Sequence, residues 1–140
     1  MTSMRSILLA EDNAFDAELT LRALEPYRLA NKVDVVRDGN EALDYLYRRG
    51  PFAAREQSNP SLVLLDLKMP KVNGIEVLRQ IKAEPALRLI PVVVLTSSRE
   101  HQDIVQSYEL GINAYIVKPV EFEKFIDAVR QLGLFWLQLN

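Results

Sequence analysis

Four apolar runs in this sequence end in residues that can hold a cation or handle a phosphoryl group. Ile7-Leu8-Leu9-Ala10 runs into Glu11-Asp12, and Leu62-Val63-Leu64-Leu65 into Asp66. Pro91-Val92-Val93-Val94-Leu95 runs into Thr96-Ser97, and Ala114-Tyr115-Ile116-Val117 into Lys118-Pro119. Brought together, Glu11, Asp12 and Asp66 would repel one another, and a hard divalent cation is the simplest remedy. Mg²⁺ suits such donors because it prefers carboxylate and carbonyl oxygens, keeps several waters and bridges protein to phosphate. With the repulsion removed, one carboxylate can attack phosphorus and become an aspartyl phosphate. Charge spread over the equatorial oxygens of that transition state then needs positive partners and donors. Lys118 offers an ammonium, Thr96 a hydroxyl, and the backbone after Thr96 its N–H groups. Each residue also has an ordinary structural role: Asp12 and Asn13 suit a helix cap, Asp66 a turn, Thr96 a strand, Lys118 a solvated surface. Singly those roles compete well; jointly they must place three carboxylates side by side for no purpose.

The residues meet only if the strands that carry them are parallel neighbours. Short apolar runs alternate here with helix-period stretches, and a further strand is expected at Lys32-Val33-Asp34-Val35-Val36. The runs beginning at Ile7, Leu62 and Pro91 are almost continuously apolar, as central strands buried on both faces must be. The Lys32–Val36 run alternates and reads as an edge. Between the strands, Ala14, Ala17, Leu21 and Leu24 share one helical face, as do Ile75, Leu78 and Ile81. Ile104, Val105 and Tyr108 form another stripe, and Phe122, Phe125, Ile126 and Val129 a fourth. Ser97-Ser98-Arg99-Glu100 has the form of a capping box, and Gly111 is placed to stop a helix. Five β–α repeats with short connections imply a doubly wound α/β domain. In such sheets ligands collect at the carboxyl ends of the strands, the edge where all four polar sets fall. The one long connection, Arg49 to Ser61 with Gly50, Pro51, Asn59 and Pro60, is expected to be a mobile surface loop with weak structural demands.

Composition sets the outer limits. At 140 residues the chain has the size of one domain, spanning 1–140, and a core can form without disulfides or a structural metal. There is no cysteine, which excludes a disulfide framework and cysteine-ligated zinc, and the single histidine, His101, excludes a multi-histidine metal site. The apolar runs fall far below a membrane span, and the N-terminus lacks the apolar region of a signal peptide, so the cytoplasm is the default expectation. A net charge of −2 gives no global basic field for nucleic acid.

The ordered set Glu11-Asp12, Asp66 followed by Met69-Pro70 and Gly74, Thr96-Ser97, and Tyr115 three residues before Lys118-Pro119 resembles the receiver domains of two-component response regulators. The resemblance runs from about Ile7 to Phe135 and implies a flavodoxin-like five-stranded parallel sheet in the order 2-1-3-4-5, with two helices on one face and three on the other. It implies phosphorylation of Asp66 by a sensor histidine kinase, and Mg²⁺ held by the side chains of Asp12 and Asp66, the backbone carbonyl of Lys68 and, through water, Glu11. It also implies that Lys118 pairs with the phosphoryl oxygens, that Thr96 and Tyr115 form a switch pair, and that Pro119 follows a cis peptide bond. A narrower resemblance, carried by Arg48-Arg49-Gly50 to Pro60, Ser107-Tyr108-Glu109-Leu110 and Phe135-Trp136-Leu137, is to the small regulators that partner phytochrome histidine kinases. With no room for an attached output domain, the signal is expected to leave through a downstream protein.

Lys68, His101, Phe135 and Trp136 could each mislead. Lys68 is a solvated lysine whose backbone alone matters, or a charge that alters phosphoryl lifetime. His101, early in a helix, is expected at the surface. Phe135 and Trp136 are adjacent, so both cannot occupy one helical face; with Tyr108 they are expected to cover a partner in a homodimer, against the alternative of self-packing. Among other functions, a haloacid-dehalogenase-like phosphohydrolase would need a second acid where Lys68 stands. A dinucleotide-binding domain would need a Gly-rich loop after the first strand. A pseudo-receiver keeping only the scaffold would have no use for the complete acid, hydroxyl and lysine set.

Overall fold

The computed structural model describes residues 6–25, 33–55, 59–96, 101–112 and 114–132. Five strands, β1 (Ile7–Ala10), β2 (Val33–Val36), β3 (Leu62–Asp66), β4 (Val92–Thr96) and β5 (Ala114–Val117), form one parallel sheet in the order β2-β1-β3-β4-β5. β1, β3 and β4 are buried at every residue, whereas β2 and β5 alternate, as edge strands do.

Helices α1 (Ala14–Leu24), α2 (Gly39–Tyr47), α3 (Gly74–Ala83), α4 (His101–Glu109) and α5 (Phe122–Leu132) connect the strands. One core layer packs Ile7, Leu9, Leu64, Val93 and Ile116 against α1 and α5, centred on the fully buried Phe125. The opposite layer packs Leu8, Val63, Leu65 and Val94 against α2 and α3, with α4 beside α3. This is the two-and-three helix arrangement expected from the resemblance. The Lys118–Pro119 peptide bond is cis, also as expected. Gly111, at φ 107°, ends the turn after α4 in a conformation that L side chains rarely adopt.

Three expectations need correction. In α1, Ala14 is exposed and Thr20 takes a buried position, its hydroxyl donating to the Asp16 carbonyl at 2.9 Å. That bond lets a polar residue occupy the apolar face. In α4, Val105 and Tyr108 are exposed and Ser107 is buried, so the inward stripe runs through Ile104 and Ser107. The connection after α2 carries more structure than its composition suggested. It contains a 3₁₀ turn at Gly50–Phe52, Phe52 meets the Tyr45 ring edge-on at 5.2 Å, and the Arg55 guanidinium covers that ring at 4.1 Å. Asn59 ties its far end to the Ala86 carbonyl at 2.9 Å. The capping box at Ser97–Glu100, residue Lys32 of the second strand, and the Phe135-Trp136-Leu137 segment lie outside the described residues, as does the side chain of His101.

Candidate functional site

Strand register brings the polar ends together. Ala10 stands opposite Leu65, so Glu11 follows β1 where Asp66 closes β3. Asp66 pairs with Leu95, which puts Thr96 one residue beyond it, and Thr96 pairs with Val117. The Lys118 N–H donates to the Thr96 carbonyl at 2.7 Å, carrying the ladder one step past β5. The loops that follow are held by short-range bonds. Asn13 caps α1 by accepting from the Asp16 N–H, and its own N–H donates to Glu11 Oε2 at 3.1 Å. The Lys68 N–H donates to Asp66 Oδ1 at 3.0 Å.

The three acids converge: one carboxylate oxygen each from Glu11, Asp12 and Asp66 lies within 4.8 Å of the others. Glu11 and Asp66 are buried and Asp12 is exposed, so the cluster opens to solvent on one side. Lys118 reaches in from β5. Its ammonium stands 2.8 Å from Glu11 Oε1, 3.1 Å from Asp66 Oδ2 and 3.1 Å from Asp16 Oδ2. Burial pushes the Glu11 carboxyl up to about 7, with Lys118 holding it down and Asp66 raising it further. For Lys118, burial favours the neutral amine, but the contacts with Glu11 and Asp66 outweigh it and hold the ammonium above its ordinary value.

Glu11 Oε1 is buried, and its near partner is the Lys118 ammonium at 2.8 Å. A buried carboxylate oxygen in that state, beside two further acids, fits a hard oxygen-seeking cation. Thr96 is buried at the end of β4. Tyr115 is 40 % exposed, and its ring meets Tyr108 edge-on at 6.2 Å. The β4–β5 register sets Val94 opposite Tyr115 and Thr96 opposite Val117, so Thr96 and Tyr115 lie on the same face of the sheet.

Of the residues singled out in the sequence, Glu11, Asp12, Asp66, Thr96 and Lys118 therefore share one sheet edge, with Lys68 beside them and exposed. Tyr108 and Tyr115 form a neighbouring surface pair, while Phe135 and Trp136 lie outside the described residues. Asp16 was missed. It stands in the first turn of α1, where an acid has a sufficient explanation in the helix dipole.

Comparison with known proteins agrees with this geometry. Residues 7–130 match the response regulator receiver domain family. The probable methanogenesis regulatory protein FilR2 of Methanothrix harundinacea is 43% identical over 134 residues, covering 96% of this chain and 84% of that protein. Response regulator Rcp1 of Synechocystis is 38% identical, covering 94% of this chain and 88% of its own length. The solved structure of the bacteriophytochrome response regulator AtBRR is 59% identical, covers 96% of both chains and superposes with a TM-score of 0.89.

Proposed function

This chain belongs to the response regulator receiver domain family, and from that premise we propose that Asp66 is its phosphoacceptor, fed by a sensor histidine kinase of the phytochrome class. Receiver domains are signalling phosphoacceptors, and close relatives of this chain are phytochrome response regulators. The observation that carries the proposal is the meeting of Asp66, Glu11, Asp12 and Lys118 at one strand edge.

In the transfer, the Asp66 carboxylate attacks phosphorus. The Asp66 oxygen–phosphorus bond forms as the phosphorus–nitrogen bond of the donor phosphohistidine breaks, and the electron pair returns to the imidazole, which takes a proton. Lys118 stands against the attacking carboxylate, where it would neutralise charge on the phosphoryl oxygens, and Thr96, buried at the end of β4, would donate its hydroxyl. Hydrolysis by water later restores the carboxylate and releases inorganic phosphate, so the chain would promote only its own phosphorylation and dephosphorylation. Asp12, Asp66 and the Lys68 carbonyl would hold Mg²⁺, with Glu11 acting largely through water; the ion when bound supplies charge neutralisation between protein and phosphate. The solved Mn²⁺-bound form of response regulator Rcp1, 37% identical to this chain, supports a divalent ion in that class.

Thr96 and Tyr115 would read the modification: the hydroxyl moves to the phosphoryl group and the ring turns in behind it. The half-exposed Tyr115 ring is the outward position from which that turn would start. Output would then pass by protein–protein contact in the cytoplasm, through a homodimer in which Tyr108, Phe135 and Trp136 take part and through a downstream protein. Among the described residues, no helix is long and apolar enough to cross a membrane. The proposal is tested by incubating wild type and Asp66→Asn with acetyl phosphate and Mg²⁺ and measuring intact mass. A phosphoryl adduct of about 80 Da, the mass added when an aspartyl phosphate forms, is expected on wild type alone. No adduct on wild type would point to a pseudo-receiver, and turnover of unrelated phosphate esters to a general phosphatase.

A further inference from the structure

Lys118 makes a third contact that the chemistry above leaves unused. Its ammonium donates a hydrogen bond of 3.1 Å to Oδ2 of Asp16, which lies in the first turn of α1, 102 residues before Lys118. The Asp16 side chain is 28% exposed, whereas that of Lys118 is 9% exposed, so Asp16 holds the ammonium from the solvent side while Glu11 and Asp66 hold it from within. Once a divalent cation and a phosphoryl group occupy the acidic cluster, Glu11 and Asp66 each have a competing positive partner. Asp16 then remains as the carboxylate able to keep the lysine at the mouth of the site.

We propose that Asp16 is a positioning residue for Lys118, anchoring its ammonium where the phosphoryl oxygens arrive. The inference rests on the receiver reading above. It also predicts a sign that simple electrostatics reverses. Removing a negative charge beside an anion site should tighten anion binding; removing the anchor of the lysine that receives the anion should weaken it. The pair is part-buried with Asp16 still reached by solvent, so its loss is expected to cost several-fold and not orders of magnitude.

The test uses beryllofluoride, which imitates a phosphoryl group on a carboxylate, titrated at saturating Mg²⁺ and followed by fluorine NMR. Asp16→Asn, which keeps the side-chain shape and removes the charge, is expected to weaken beryllofluoride about three- to five-fold. Asp16→Glu should restore most of that loss. Glu18→Gln, which removes a charge from the same helix without touching Lys118, should leave the affinity within about two-fold of wild type. The maximal phosphorylation rate with acetyl phosphate should fall with Asp16→Asn while the half-saturating donor concentration stays close to wild type. Unchanged or tighter beryllofluoride binding by Asp16→Asn overturns the inference, as does an equal loss in Glu18→Gln. Circular dichroism confirms that each variant is folded before titration. If wild type is phosphorylated on Asp66 and Asp16→Asn matches it in both measurements, only the anchoring role fails. If wild type gains no adduct, the receiver reading fails first.

Discussion

At the scale of single residues, Glu11 ties the acidic cluster to the stability of the whole protein. Its folded-state value of about 7 lies above the unfolded value of 4.5. Between those pH values the folded protein therefore binds more protons than the unfolded chain, and stability falls as pH rises through the window and levels off above it. A shift of that size corresponds to roughly a few kcal/mol. Without divalent cations, the melting temperature is expected to be higher at pH 6 than at pH 8, and Glu11→Gln should flatten the difference. Mg²⁺ should recover more stability at pH 8 than at pH 6, since it replaces the proton as the partner of the cluster. Parallel melting curves for wild type and Glu11→Gln between pH 5 and pH 8 would rule Glu11 out as the source. Most of this site could be read from residue types: Glu11-Asp12, Asp66, Thr96 and Lys118 each follow an apolar run, and runs become adjacent strands. Asp16 could not, because its partner is 102 residues away and nothing local marks an aspartate in a first turn as anything but a dipole partner.

Among the elements, two glycines fix the loop that follows Asp66. A Cβ on Gly74 would lie 2.3 Å from the Asp66 carbonyl oxygen and 2.5 Å from Leu67 Cα, so the start of α3 is pressed onto the backbone of the phosphoacceptor candidate. A Cβ on Gly39 would lie 1.7 Å from the Val72 carbonyl oxygen, which docks the start of α2 on the same loop. The Gly39 N–H donates to the Pro70 carbonyl at 3.4 Å, and Lys71 pairs with Asp38 at 3.5 Å across that junction. Because the crowding atoms are backbone, they cannot rotate away. Gly74→Ala and Gly39→Ala are each expected to lower unfolding stability by about 1–3 kcal/mol, measured as an earlier urea midpoint. A midpoint unchanged in both would mean the loop is more compliant than its contacts suggest. Element types were legible because the core periodicities are strong: β1, β3 and β4 read as buried strands and are buried at every residue. The α4 stripe misled because Val105 and Tyr108 are apolar yet exposed, while a serine took the buried position. Apolar character at a surface meant for a partner cannot be told from core by periodicity alone.

For the whole molecule, Tyr108 and Tyr115 form an exposed aromatic pair on the α4–β5 side, the surface that the proposed homodimer would cover. Light scattering across a concentration series is expected to show a larger dimer fraction with Mg²⁺ and beryllofluoride than without. A species that stays monomeric at every concentration with the mimic bound would exclude the homodimer. The sheet order and the grouping of helices on its faces followed from the resemblance, since the strand patterns are compatible with several orders. The Arg49–Ser61 connection was underestimated because its Gly and Pro content describes local backbone, whereas Tyr45 collects Phe52 and Arg55 through contacts only a fold can create.

The reach of Lys118 across the sheet has a consequence for the protein while it is being made. A nascent chain that has emerged as far as Asp66 carries the proposed nucleophile and both early acids, but β4 and the lysine are still inside the ribosome. The proposed set of Glu11, Asp12, Asp66 and Lys118 is complete only once β5, the last of the described strands in chain order, has paired with β4. With Asp66 as the proposed acceptor, phosphoryl transfer from a kinase would therefore wait for a finished domain.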